Sequence, residues 1–172
     1  MLETLLPGLM AAENLHPMVV HFPIAFWMAA SMAWLVGLVL KKDKVWEFGL
    51  WLHIAAVLSA GLAIGFGFWA TDTMGHDSPG HDLVHVHRDW MIYSSIASAI
   101  LTGFAFWKRG EKGKVRYLFL VSSFLLLGAT SLGADRGAEL VYGYGMGVSK
   151  TPPTHKSGGG HSHGGGQNGH AH

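Results

Sequence analysis

The sequence contains no cysteine. Structural disulfides, thiolate metal centres and a covalently attached c-type haem, whose C-x-x-C-H signature needs two thiols, are therefore excluded. The redox compartment stays open, because a chain without cysteine tolerates either. Charge is scarce too: Asp, Glu, Lys and Arg supply 13% of the 172 residues, where a soluble domain carries about 25%. The formal net charge of +1 singles out no class of partner, and nucleic acid is not expected to be one. The opening residues, MLETLLPGLMAAENLHP, hold Glu3 and Glu13 but no basic residue. They lack the positive n-region of a secretory signal and are read as part of the mature chain. No G-x-S-x-G or H-E-x-x-H motif is present, so hydrolytic chemistry has little support. An electron carrier or a subunit is expected rather than a stand-alone enzyme.

What charge there is falls in clusters, leaving 14–40, 48–71, 90–107 and 117–134 free of Asp, Glu, Lys and Arg. At about 1.5 Å per residue, a run of about 18 residues covers roughly 27 Å, close to the thickness of a hydrocarbon core. The expectation is an all-α integral membrane four-helix bundle, with helices at about 17–40, 46–71, 80–107 and 115–134. Residues 1–148 then form the membrane domain, 135–148 an outer segment that folds back on the surface, and 149–172 a disordered Gly/His-rich tail. Lys41, Lys42 and Lys44 lie in the first short loop, and Lys108, Arg109, Lys112, Lys114 and Arg116 in the second. The positive-inside rule puts these loops in the cytoplasm and both termini on the outer side of a bacterial inner membrane. Pro23 must free the Val19 carbonyl and predicts a kink near the outer end of the first helix. Ser78 before Pro79 predicts the start of the third. Gly61, Gly65 and Gly67 give the second a face that a neighbour or a flat ligand can approach closely.

Histidines crowd the outer side. His16 and His21 open the first segment, and His76, His81, His85 and His87 gather at the entry to the third. An ionisable side chain near bilayer depth is costly unless something uses it, and neutral imidazole is a frequent metal ligand. On the third helix His87, Met91, Ser94, Ser98 and Thr102 share one stripe, with His85, Ile92, Ile96 and Ile100 roughly opposite. Membrane bundles turn small and polar residues inward. His87 is thus expected inside and His85 among headgroups. His21 shares a stripe with Ala25, Met28 and Met32, while His16 lies about 140° away and more superficially.

His21 and His87 would each sit about one turn inside the membrane, as two imidazoles must to hold a haem between helices. Arg88 and Arg136 offer paired N–H donors to carboxylates such as propionates. A second reading stays open, in which both histidines hydrogen-bond to backbone or to each other. His53, near the lysine-rich start of the second helix, reads as a polar helix-contact residue and has no partner at its depth for a second haem. His76, His81 and His85, beside Asp72, Asp77 and Asp82, form an alternative outer site for Cu or Zn, because His81 and His85 stand at i, i+4. A solvated polar loop explains the same residues. The tail histidines would bind such metals weakly and define no site.

HPMVVHFPIAF at 16–26 resembles the opening of a bacterial membrane-protein family of unknown function, whose members begin H-P-x-x-V-H-F-P-I. The similarity continues through GHDSPGHDLVHVHRDWM at 75–91 and LGADRGAELVYGYGMGV at 132–148, and excludes the tail. That family is similar to four-helix b-type cytochromes in helix count and outer histidines. The resemblance implies that His16, Pro17, His21, Pro23 and His87 are the positions to test, and it supplies neither a reaction nor a partner. The expected protein is a membrane-bound, b-type cytochrome-like electron carrier with one haem b near the outer face. His21 and His87 would be its axial ligands, and His16 or His85 their hydrogen-bond partners. It would exchange electrons with a quinone or a periplasmic redox protein. The alternatives are a copper- or zinc-binding accessory protein and a structural subunit of a larger membrane complex.

Overall fold

The computed structural model describes residues 2–6, 8–9, 12, 14–72 and 78–147. Among them, apart from short turns near the N-terminus, all regular structure lies in four helices long and apolar enough to cross a membrane. These are α1 (His16–Val39), α2 (Asp43–Asp72), α3 (His81–Trp107) and α4 (Lys114–Tyr144). The expected tail at 149–172, and His76, lie outside the described residues.

Local chemistry sets the ends. Pro17 occupies the first turn of α1, where its missing N–H costs no bond. Asn14 Oδ1 accepts the His16 backbone N–H at 3.1 Å, just before the first turn. The helix is interrupted at Val20, next to the Val19 carbonyl that Pro23 leaves without its N–H, which divides α1 into His16–Val19 and His21–Val39. The start of α3 differs from expectation. Ser78 and Pro79 stand in a turn that closes with His81 N–H donating to the Ser78 carbonyl at 3.1 Å, and Gly80 (φ +86°) leads into the helix. A Cβ on Gly80 would lie 2.9 Å from the Tyr144 ring, so both the left-handed backbone and the ring contact call for glycine.

The fourth helix differs more. It does not stop at 134 and fold back, but continues as helix to Tyr144. There Gly145 (φ +68°) ends it, with Gly145 N–H donating to Val141 O at 3.0 Å and Met146 N–H to Leu140 O at 3.1 Å. At about 46 Å, its 31 residues exceed a hydrocarbon core of about 30 Å. The last turns, with Asp135, Arg136 and Glu139, therefore extend past the apolar zone.

Consecutive helices run antiparallel and pack as two hairpins, α1 on α2 and α3 on α4, brought together mainly through α2 and α3. The α1–α2 hairpin closes backbone to backbone: a Cβ on Gly37 would lie 2.7 Å from Trp46 N. The lysine-rich half of the core holds Trp34, Trp46, Leu50, Ala105, Phe119 and Leu120. Trp34 and Trp46 stack there with centroids 5.0 Å apart, and the Arg116 guanidinium lies 5.0 Å above Trp46. Asp43 at the start of α2 takes Arg116 Nη1 at 2.8 Å and Lys112 Nζ at 2.6 Å, tying that end to α4. On α3, Ser94, Ser98 and Thr102 are buried while Ile96 and Ile100 point outward. Leu58, Leu62 and Leu125 also point outward, an apolar coat suited to lipid.

Candidate cofactor site at the histidine-rich end

The inward face of α1 is set by Pro23, Trp27, Ala30, Ser31, Trp34 and Gly37, all buried. Steps of seven residues, nearly two full helical turns, return to one face. His16, Pro23, Ala30 and Gly37 are such a series, so His16 belongs to the inner side despite its place at the helix end. His21 is exposed on the outer side, with Met28 at 52% and Met32 at 46% exposure on the same face. The expected His21–His87 pair therefore does not form, and His16 stands opposite His87 instead. Their rings lie with centroids 6.3 Å apart and planes nearly perpendicular, at 85°.

Each ring is anchored in the same way by the other helix of its own hairpin. His16 Nδ1 donates to the Ala63 carbonyl of α2 at 2.9 Å. His87 Nδ1 donates to the Gly133 carbonyl of α4 at 2.8 Å. A carbonyl only accepts, so the proton of each neutral ring sits on Nδ1 and the lone pair is left on Nε2. One turn beyond each carbonyl comes a glycine. A Cβ on Gly67 would lie 3.1 Å from the His16 ring, and one on Gly137 would lie 2.8 Å from His87 Cε1. Bare helix backbone at these points lets each imidazole lie against the helix whose carbonyl it bonds. Of the three glycines picked out on α2, Gly67 alone meets a ring; Cβ atoms on Gly61 and Gly65 would find nothing within 4 Å.

An imidazole held through Nδ1 to a carbonyl, with Nε2 free, is how a metal-binding histidine is usually oriented. Two such rings on opposite sides of one metal, with nitrogens about 2.0 Å from it and ring centres about 1.1 Å behind, place the centroids about 6 Å apart. The observed 6.3 Å fits this spacing. Among the described residues no group of three or more His, Cys, Asp or Glu is gathered. Two nitrogens alone leave a first-row ion short of the four to six ligands it usually takes. The donor set fits a metal that brings its own equatorial ligands, as a porphyrin iron does.

The remaining predicted residues lie elsewhere. His85 is exposed and turns toward His81, with Nε2 atoms 3.0 Å apart and ring centroids 4.7 Å apart. Arg88 pairs with its neighbour Asp89 at 2.9 Å, and Arg136 with Glu139 at 3.2 Å. His53 is 1% exposed and reaches Ser123 Oγ of α4 through Nε2 at 3.3 Å, a contact between helices. The carbonyls of Ala63 and Gly133 and the glycines Gly67 and Gly137 carry the site as much as the histidines do. Their signal in the sequence is a small residue followed four later by glycine. That pattern occurs twice in α2 (Gly61/Gly65 and Ala63/Gly67) and twice in α4 (Ala129/Gly133 and Gly133/Gly137), so it does not single out the site.

Four apolar helices long enough to cross a membrane, packed on a largely apolar core that holds a few buried polar residues, define an integral membrane helical bundle. Within that class the chain belongs to the family described as "Predicted membrane protein (DUF2231)", whose model matches residues 12–150. No curated protein and no solved structure matches it.

Proposed function

We propose that this protein is a membrane-embedded electron carrier of the b-type cytochrome kind, with His16 and His87 as the axial ligands of a single haem near the histidine-rich end. One observation carries the reading. Two imidazoles from different hairpins lie with ring centroids 6.3 Å apart, each fixed through Nδ1 to a backbone carbonyl. Hydrogen-bonding an imidazole through Nδ1 raises the basicity of Nε2 and fixes its direction, which is the work of this chain's own atoms. Haem iron held by two such ligands supplies one-electron transfer. The lysine-rich loops favour a bacterial inner membrane with the histidine end outward. A quinone or a periplasmic redox protein would then be the exchange partner.

The test is the absorption spectrum of detergent-purified protein, oxidised and dithionite-reduced, before and after addition of haem. About one haem per chain with sharp reduced α and β bands is expected. The spectrum should be lost in His16→Ala and in His87→Ala, and kept in His21→Ala. Protein that stays colourless after haem addition, or unchanged spectra in both ligand variants, would sink the assignment.

A second reading has its own observation. The 3.0 Å between His81 Nε2 and His85 Nε2 matches two adjacent positions on a divalent ion with nitrogens about 2.0 Å away, and at this exposed pair water would have to fill the positions the two nitrogens leave open. Stoichiometric copper or zinc in a colourless sample, lost in His85→Ala, would favour a metal-binding accessory role at that pair.

A further inference from the structure

Deeper in the bundle runs a string of polar groups for which an electron carrier at the histidine end has no use. Trp27 Nε1 donates to Ser98 Oγ of α3 at 2.6 Å, and Ser31 Oγ donates to the Trp27 carbonyl at 2.9 Å. The hydroxyls of Ser31 and Ser123 are hydrogen-bonded across α1 and α4, and Ser123 in turn meets His53 Nε2 of α2. One string thus links all four helices, and every side chain in it is buried. Where it ends at His53, three further polar atoms have no hydrogen-bond partner among the described residues: His53 Nδ1, Trp34 Nε1 and Thr102 Oγ1.

A ring contact joins two of these groups, and helical register puts the third at the same depth. Trp34 packs on His53 with ring centroids 4.2 Å apart. Thr102 stands one turn along α3 from Ser98, just as Ser31 stands one turn along α1 from Trp27, so the Trp27–Ser98 bond places Thr102 level with Ser31 and its partner Ser123. Hydrocarbon cannot satisfy such groups, and a buried polar atom without a bond is costly. Their chemistry selects the ligand. Trp34 contributes only a donor hydrogen, which a cation cannot use, and no carboxylate is among the buried residues. Thr102 both donates and accepts. Because Ser31 donates to the Trp27 carbonyl, Ser123 donates to Ser31 and takes a bond from His53 Nε2–H, which leaves His53 Nδ1 as an acceptor. Water both donates and accepts, and these side chains supply the two to four partners that an internal water needs.

We propose that this layer is an internal hydration site, in which ordered water bonds Trp34, His53 and Thr102 and extends the serine string. Its consequence is a bundle centre that exchanges hydrogen with bulk water although none of its residues is exposed. The site is independent of any cofactor at His16 and His87.

The experiment uses the full-length, 15N-labelled protein in lipid nanodiscs, with solid-state NMR transfer of magnetisation from water to indole N–H groups. Trp34→Phe assigns the Trp34 resonance. Strong transfer to the Trp34 indole is expected, with none to Trp51, which faces outward on α2. Thr102→Val, close in shape, should cut the Trp34 transfer at least threefold. No transfer to Trp34 in the unaltered protein overturns the proposal, whether or not the variant folds. Transfer that Thr102→Val leaves unchanged overturns the shared site.

Discussion

Replacing Gly137 by alanine adds one methyl group on the inner face of α4, at the point where the His87 ring lies against the backbone. The new Cβ would be 2.8 Å from His87 Cε1 and 3.1 Å from Nδ1, whereas carbon atoms in contact sit about 3.5–4.0 Å apart. Both distances cannot be relieved without moving the ring by roughly 1 Å, and the ring is held by a 2.8 Å bond from Nδ1 to the Gly133 carbonyl. The substitution therefore trades that bond against a steric overlap. Losing a buried hydrogen bond with its acceptor left bare costs about 1–3 kcal/mol, or roughly five- to hundredfold in the affinity of whatever His87 Nε2 binds.

The assay is haem titration of the detergent-solubilised protein, followed by the Soret band, with the melting midpoint measured on the same samples. Gly67→Ala should act in the same direction but less, because its 3.1 Å approach is milder. Gly61→Ala is the control: it adds the same methyl on the same helix where nothing lies within 4 Å. It should leave haem binding alone and stabilise the helix by about 0.5–1 kcal/mol. If Gly137→Ala binds haem like the unaltered protein, the glycine does not position His87 and the argument fails.

Ser98→Ala leaves Trp27 Nε1 buried without an acceptor, and the melting midpoint should fall by the equivalent of about 1–3 kcal/mol. His53→Ala removes a core ring packed at a tilt on Trp34 and the partner of Ser123. It should destabilise by a similar amount, about 1–3 kcal/mol, while leaving intact the reduced spectrum of the proposed haem; a lost spectrum would tie His53 to that site. Asp43→Asn takes the counter-ion from Arg116, whose side chain is mostly buried. Its melting midpoint should drop further than that of Glu139→Gln, which breaks the exposed Arg136 pair; equal drops would refute a special role for the Asp43 anchor.

The gaps between charge clusters were enough to find four spans, because hydrocarbon excludes Asp, Glu, Lys and Arg whatever the tertiary fold. The inner face of α3 was legible for a related reason: Ser94, Ser98 and Thr102 contrast with Ile96 and Ile100 around the helix. On α1 the same rule misled. Its inner face is built on Trp27 and Trp34, large side chains that the preference for small inward residues does not anticipate, while Ala25, Met28 and Met32 meet lipid. Pairing His16 with Ala63 needed the hairpin register, which close packing at Gly37 and Gly49 helps to set. The length of α4 was hidden because Asp135, Arg136 and Glu139 end a membrane span but not a helix, which water supports equally well. The start of α3 depended on the contact between Gly80 and Tyr144, residues far apart in the chain.

The two anchored histidines also bear on how the molecule is made. Each belongs to a hairpin that supplies its own carbonyl and its own glycine, so a ribosome that has released only α1 and α2 has already delivered a finished half of the centre. That half presents one oriented nitrogen and nothing across from it until the second hairpin inserts. Capture of the proposed cofactor would then be a checkpoint on assembly: a molecule whose hairpins have docked in the wrong register would offer two single histidines, never a pair.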